Sequence, residues 1–189
     1  MLKFILSILC LGTFISSWGQ THTLAGRVAT ENVESMSEVE LELFDAYGAL
    51  VATYTTDCDG LFTFNDLNDG ETYTISMQKE DSPLNGTSTF DLVLISRELL
   101  GVQDLDSQYK QASADVDESG AISIMDLVLI RAVILNIVEE YPGGDWLFFR
   151  PGNLDASSSY EIVLTDDLLD FDIVGAKKGD VNGSADTCP

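Results

Sequence analysis

Apolar and polar residues alternate with period two over residues 22–79, then switch after residue 85 to the spacing of helices. Thr23–Val28 opens the first region. Val39-Glu40-Leu41-Glu42-Leu43-Phe44 puts apolar side chains on one face and carboxylates on the other, which predicts a strand with one buried face. Leu50–Thr56 follows a turn at Ala46-Tyr47-Gly48. Asp57-Cys58-Asp59-Gly60 predicts a tight turn, because Asp and Gly take positive φ at low cost. Leu61–Phe64 and Thr72–Met77 complete a predicted small antiparallel sandwich with Phe44, Phe62, Phe64 and Tyr73 in its core.

Residues 85–137 hold an internal repeat. Asp91-Leu-Val-Leu-Ile95 recurs 35 residues later as Asp126-Leu-Val-Leu-Ile130, Leu99-Leu100 matches Ile134-Leu135, and Gly101 matches Asn136. In each copy an Asp stands in the first turn, where it complements the helix dipole. A Gly or Asn stands at the end, where a left-handed cap is needed. Each unit is thus predicted to be a loop followed by one helix, the two helices packing antiparallel through their Leu, Ile and Val faces.

The segment preceding the second helix carries the most specific chemistry. Asp115-Val-Asp-Glu-Ser-Gly-Ala-Ile-Ser-Ile-Met-Asp126 places oxygen donors at loop positions 1 (Asp115), 3 (Asp117), 5 (Ser119), 9 (Ser123) and 12 (Asp126). Ala121 at position 7 offers its backbone carbonyl, Gly120 stands at the sharp turn, and Ile122 stands at the apolar position 8. Ca²⁺ takes six to eight oxygens, and this spacing wraps them around one point. Ser at position 5 and Asp at position 12 depart from the usual pattern; the shorter Asp126 must lean further in.

The first repeat lacks acids at positions 1, 3 and 5 when aligned back from Asp91, with Asp81 a distant donor. The end of the chain supplies the missing spacing. In Gly179-Asp-Val-Asn-Gly-Ser-Ala185, Asp180, Asn182 and Ser184 stand as positions 1, 3 and 5 of a loop that then stops. The two halves are expected to meet as one divided calcium site, with Asp180, Asn182, Ser184 and Asp91 as donors and Asn85 or Ser88 assisting. Asn85-Gly-Thr and Asn182-Gly-Ser also match the glycosylation sequon, but both asparagines are read here as parts of ion loops.

Tyr141-Pro142-Gly143-Gly144 ends the second helix, and Trp146–Phe149, Tyr160–Leu164 and Asp170–Ala176 read as strands. Trp146 beside Phe148 has the form of a sugar-stacking platform, but core or interface packing is the better reading.

The chain carries 9 Lys and Arg against 32 Asp and Glu, a net charge of −23, which repels nucleic acid and anionic membranes and attracts divalent cations. Residues 1–19 have one charge, Lys3, then an apolar run from Phe4 to Ile15 and a small-residue exit, so they are expected to be a cleaved secretory signal. A secreted or cell-surface protein without membrane insertion is the expectation. Cys58 and Cys188 then remain; their spacing neither requires nor forbids a disulfide. The single histidine, His22, lies at an expected frayed terminus and suggests no ligand role. Nucleophile–His and metalloprotease motifs are absent, so intrinsic catalysis is not expected, although acids suited to glycosidic hydrolysis are plentiful.

Two family resemblances add to this. Thr55-Thr-Asp-Cys-Asp-Gly-Leu-Phe-Thr-Phe, followed by Leu67-x-x-Gly-x-x-Tyr-x-Ile, resembles the prealbumin-like sandwich of carboxypeptidase regulatory-like domains and collagen-adhesin B-type repeats. That resemblance implies a spacer or, in some relatives of the fold, a carbohydrate-binding role. Lys79, at the far end of the segment, does not suit the isopeptide crosslink of B-type repeats. Asp115–Leu127 resembles the loop of a dockerin, and the resemblance implies calcium as cofactor and a cohesin-like protein as partner. Loop positions 10 and 11, Thr89-Phe90 and Ile124-Met125, are the partner-facing positions in that family; here they suit the chain's own last strands equally well. The expected fold class is α+β multidomain: a β-sandwich (22–79), a two-helix calcium-loop module (80–140), and C-terminal strands packed on it (141–189). The expected function is noncatalytic extracellular assembly, possible attachment to polysaccharide-degrading machinery being implied by the family alone. A structural or adhesive surface module with a polysaccharide ligand is the alternative.

Overall fold

Along the first strand, His22, Leu24, Gly26 and Val28 are buried while the residues between them are half-exposed, as a pleated strand over one core requires. The computed structural model describes residues 19–153 and 155–189. It contains β1 (Thr21–Ala29), β2 (Glu40–Asp45), β3 (Leu50–Thr55), β4 (Leu61–Asn68), β5 (Glu71–Gln78), α1 (Thr89–Leu99), α2 (Gln108–Ala114), α3 (Ile124–Ile134), β6 (Trp146–Phe149), β7 (Ser159–Leu164) and β8 (Ile173–Lys177). The segment read as an export signal lies outside the described residues, apart from Gly19. No helix among the described residues is long and apolar enough to cross a membrane.

The strands form two four-stranded sheets, ordered β4-β1-β8-β6 and β3-β2-β5-β7. All neighbours are antiparallel except β1 and β8, which run parallel with Val28 beside Ile173. The sandwich core takes Leu24, Val28, Leu41, Leu43, Phe62, Phe64, Ile75 and, from the last third of the chain, Phe148, Leu164 and Ile173.

This topology overturns the expected fold class. The C-terminal strands do not pack on a helical module that follows a finished sandwich. They complete the sandwich: β7 extends one sheet beside β5, and β8 enters the other between β1 and β6. The chain is one small, mostly β, α+β fold with three short helices inserted between β5 and β6. The physical reason is that β4 and β1 alone would be an isolated two-stranded ribbon with little stability. β8, nearly all of it buried, fills that gap.

A second core lies under the helices, built from Ile95, Leu105, Ala114, Ile130, Val133 and Tyr141. Two further members are Val116 and, from the end of the chain, Val181; like Leu105 and Tyr141 they come from loops. Helix α2 has no apolar periodicity in its sequence; Ser107 caps it by accepting from Tyr109 N.

Candidate metal centre

Asp115–Asp126 connects α2 to α3. Gly120, at φ 87°, makes the sharp turn, and Glu118 before it is also left-handed, at φ 54°. The turn aims backbone N–H groups inward: Ser119 N donates to both Asp115 Oδ1 and Asp117 Oδ1 at 3.0 Å, and Gly120 N donates to Asp115 Oδ2 at 2.8 Å. Ser123 caps α3 and shares a capping box with Asp126, whose Oδ2 accepts from Ser123 N at 2.8 Å. Asp126 Oδ1 accepts from Asp117 N at 3.3 Å, which pins the end of the loop to its start. Oxygen atoms of Asp115, Asp117 and Asp126 lie within 4.8 Å of one another. The Ser119 hydroxyl beside Asp117 holds that carboxyl below its ordinary range. Ala121 O accepts from Ser119 Oγ at 3.2 Å, so positions 5 and 7 are also adjacent.

The same constellation recurs where the chain's end meets the start of α1. Ser88 caps α1 and shares a capping box with Asp91, as Ser123 does with Asp126. Asp91 Oδ1 accepts from Asn182 N at 3.3 Å, as Asp126 Oδ1 accepts from Asp117 N. Asp180 Oδ1 accepts from Asn182 N and Gly183 N, and its Oδ2 accepts from Ala185 N at 2.7 Å, as Asp115 gathers Ser119 and Gly120. Ser184 Oγ donates to Gly86 O at 3.0 Å, as Ser119 Oγ does to Ala121 O. Val181 and Val116, both at position 2, enter the same helical core. The structure thus brings Asp180, Asn182 and Ser184 onto the Gly86–Asp91 segment as the first half of a second loop.

Not every expected donor is placed alike. Asn85 uses its side chain elsewhere: Oδ1 accepts from Asp186 N at 2.8 Å, and Nδ2 donates to Asp186 O and Asp81 Oδ2. It clasps the two halves from outside, and Ser88 with the Gly86 carbonyl takes the inner positions. Asn182 Nδ2 donates to Asp91 Oδ1 at 2.8 Å, so both sequon nitrogens are engaged. Asp81 is occupied by Asn85 and by Trp146 Nε1.

The electrostatics of the divided loop suit a cation. Asp91 is fully buried and Asp180 nearly so. Burial pushes the Asp180 carboxyl up, and the neighbouring Asp91 charge pushes it further, so a cation at this place would relieve both. The two donor sets, hard oxygens of carboxylate, hydroxyl, carboxamide and carbonyl, suit Ca²⁺.

The last residues are anchored independently of these bonds. Cys58 and Cys188 form a disulfide with Cα atoms 5.4 Å apart, and Thr187 O accepts from Ser37 N at 2.9 Å. His22 is not frayed: it is buried in β1 with Nε2 3.0 Å from Asp69 Oδ1. Trp146 and Phe148 lie in the sandwich core. Phe90, Ile124 and Met125 do not pack against the last strands; they are 56, 74 and 55 % exposed.

No protein-family profile matches the chain, and no curated protein is detectably similar to it.

Proposed function

We propose that this chain is an exported, noncatalytic calcium-binding protein whose two loop–helix units present a surface for assembly with another extracellular protein. The observation that carries the reading is the repetition of one bonding pattern in a continuous loop, Asp115–Asp126, and in a loop divided between Gly86–Asp91 and Asp180–Ala185. Calcium would be held in the first by Asp115, Asp117, Ser119, Ala121 O, Ser123 and Asp126. In the second it would be held by Asp180, Asn182, Ser184, Gly86 O, Ser88 and Asp91. The ion supplies positive charge to carboxylates that otherwise repel one another, so binding energy becomes folding energy. Affinities of about 10⁻⁴–10⁻³ M, usual for extracellular modules, would let ambient calcium set the folded population.

Assembly is supported by the matched exposure of apolar residues on the two helices. Phe90 and Val93 on α1 correspond through the repeat to Met125 and Val128 on α3, and all four are exposed. A cohesin-like protein is the partner the dockerin resemblance suggests. The embedding of the helices between two strands of the sandwich favours a second reading, a structural or adhesive surface module without a cohesin. Calorimetric titration tests the metal: two Ca²⁺ per chain support both loops, one supports Asp115–Asp126 alone, and none removes the proposal. Capture by immobilised cohesins in calcium but not in chelator separates the two readings of assembly.

A further inference from the structure

We propose that Lys178 couples the two loops, so that filling one with calcium raises the affinity of the other; this rests on the calcium reading above. Lys178 is completely buried, and its ammonium donates to Glu118 Oε1 and to Pro142 O. Glu118 is position 4 of the continuous loop, held in the left-handed conformation between two metal-donor residues. On its other side, the Lys178 carbonyl accepts from the hydroxyl of Thr87 at 3.4 Å, and Thr87 is position 8 of the divided loop. The next residue, Gly179, donates its N–H to Ser113 O at 2.8 Å, two residues before Asp115. The residue after that is Asp180. Lys178 and Gly179 therefore touch the beginning of one loop and both halves of the other.

The coupling follows from the cost of a buried, unpaired ammonium. Lys178 must keep Glu118 close, and Glu118 can stay close only while the continuous loop holds its turn. A metal in Asp115–Asp126 fixes that turn, which fixes Lys178 and Gly179, which places Asp180 opposite Asp91. With three carboxylates against two, the continuous loop fills first. By thermodynamic linkage, the divided loop strengthens the continuous one by the same factor.

The experiment is a calcium titration of four proteins by calorimetry. They are wild type, Asp117→Asn to weaken the continuous loop, Lys178→Met, and the two changes together. Weakening the continuous loop should lower the affinity of the divided loop about tenfold when Lys178 is present and leave it unchanged in the Lys178→Met background. Equal effects in both backgrounds, or one ion bound by the wild type, would overturn the coupling. No ion bound at all would overturn the calcium reading itself. Glu118→Gln, a change at a half-exposed side chain, repeats the comparison should Lys178→Met fail to fold. In chelator, the amides of Val181 and Asn182 should exchange hydrogen faster in Glu118→Gln than in wild type; unchanged exchange counts against the bridge.

Discussion

Replacing both disulfide cysteines, Cys58→Ser with Cys188→Ser, should cost a substantial share of the stability of this fold and half of its calcium. The bond joins residues 130 apart in sequence. Closing a loop of that length removes on the order of 5 kcal/mol of chain entropy from the unfolded state at 25 °C. A whole domain is stable by only about 5–15 kcal/mol. Native contacts along the same tail, from Ser37 to Thr187 and from Asn85 to Asp186, still hold after the bond is gone, so a loss of about 3–5 kcal/mol is expected. Asp180–Ala185 is the part of the fold this crosslink tethers, so the divided loop should lose calcium first. The assay is urea unfolding of the chain beginning at Gln20, followed by Trp146 fluorescence, since Trp18 is then absent. It is run in calcium and in chelator, with calorimetric stoichiometry alongside. A stability loss below about 1 kcal/mol would refute the entropic argument. Two ions bound with unchanged affinity would refute the claim that the tether serves the divided loop.

Two glycines separate closure of a loop from strain within it. A Cβ on Gly86 would lie 2.5 Å from Asp180 Oδ2 and 2.6 Å from Ala185 N, so Gly86→Ala should push the halves apart and reduce calcium stoichiometry from two to one. Gly120 has nothing within 4 Å of its Cβ position, so Gly120→Ala should cost only the left-handed conformation, about 1–2 kcal/mol by thermal melting, with both ions still bound. The Asp180 carboxyl gives a pH dependence of definite sign. Its folded-state value is raised above 3.8, so the folded chain holds the proton more tightly than the unfolded one. In chelator its contribution therefore falls as pH rises from the unfolded value through the raised one. In calcium, affinity for the divided loop should fall as pH drops through that same raised value, because proton and ion compete. Urea midpoints and calcium titrations of wild type and Asp180→Asn between about pH 4 and 7 read both trends; a pH-independent difference in both would contradict them. Ser at Phe90, Val93, Met125 and Val128 should shift stability by about 0.5 kcal/mol or less each, because all four are exposed, while abolishing capture of a protein partner. Retained capture by the quadruple variant would place the binding surface elsewhere.

The continuous loop was legible because its chemistry fits within twelve consecutive residues. The divided loop was legible from residue types alone: Asp180, Asn182 and Ser184 repeat a spacing that the first repeat lacks. The role of Asn85 is not legible from its type, because a carboxamide next to a glycine suits a clasp as well as a donor. Val181 and Val116 share a sequence signal for their burial, since both follow the first acid of a loop. The sandwich was harder. Its first five strands alternate clearly and the last three also read as strands, but β8, Ile-Val-Gly-Ala-Lys, is buried nearly throughout, and nothing in that run says it belongs between β1 and β6 and not on the helices. Lys177 and Lys178 stand side by side and both are buried, which nothing in their sequence neighbourhood announces. Asp145 lies 3.3 Å from the Lys177 ammonium, and Glu118 with the Pro142 carbonyl meets that of Lys178, which makes their burial tolerable.

The parallel pairing of β1 with β8 also sets a clock on folding. Arg27 N donates to Asp172 Oδ1 across 145 residues, so the strand made first waits for the strand made almost last. A nascent chain holds β1 beside β4 with one edge bare until β8 arrives, a state open to mispairing with other chains. The helical excursion between them is built largely on local contacts, α1 against α3. It can settle earlier and bring the two ends of the sandwich together, which shortens the search that remains.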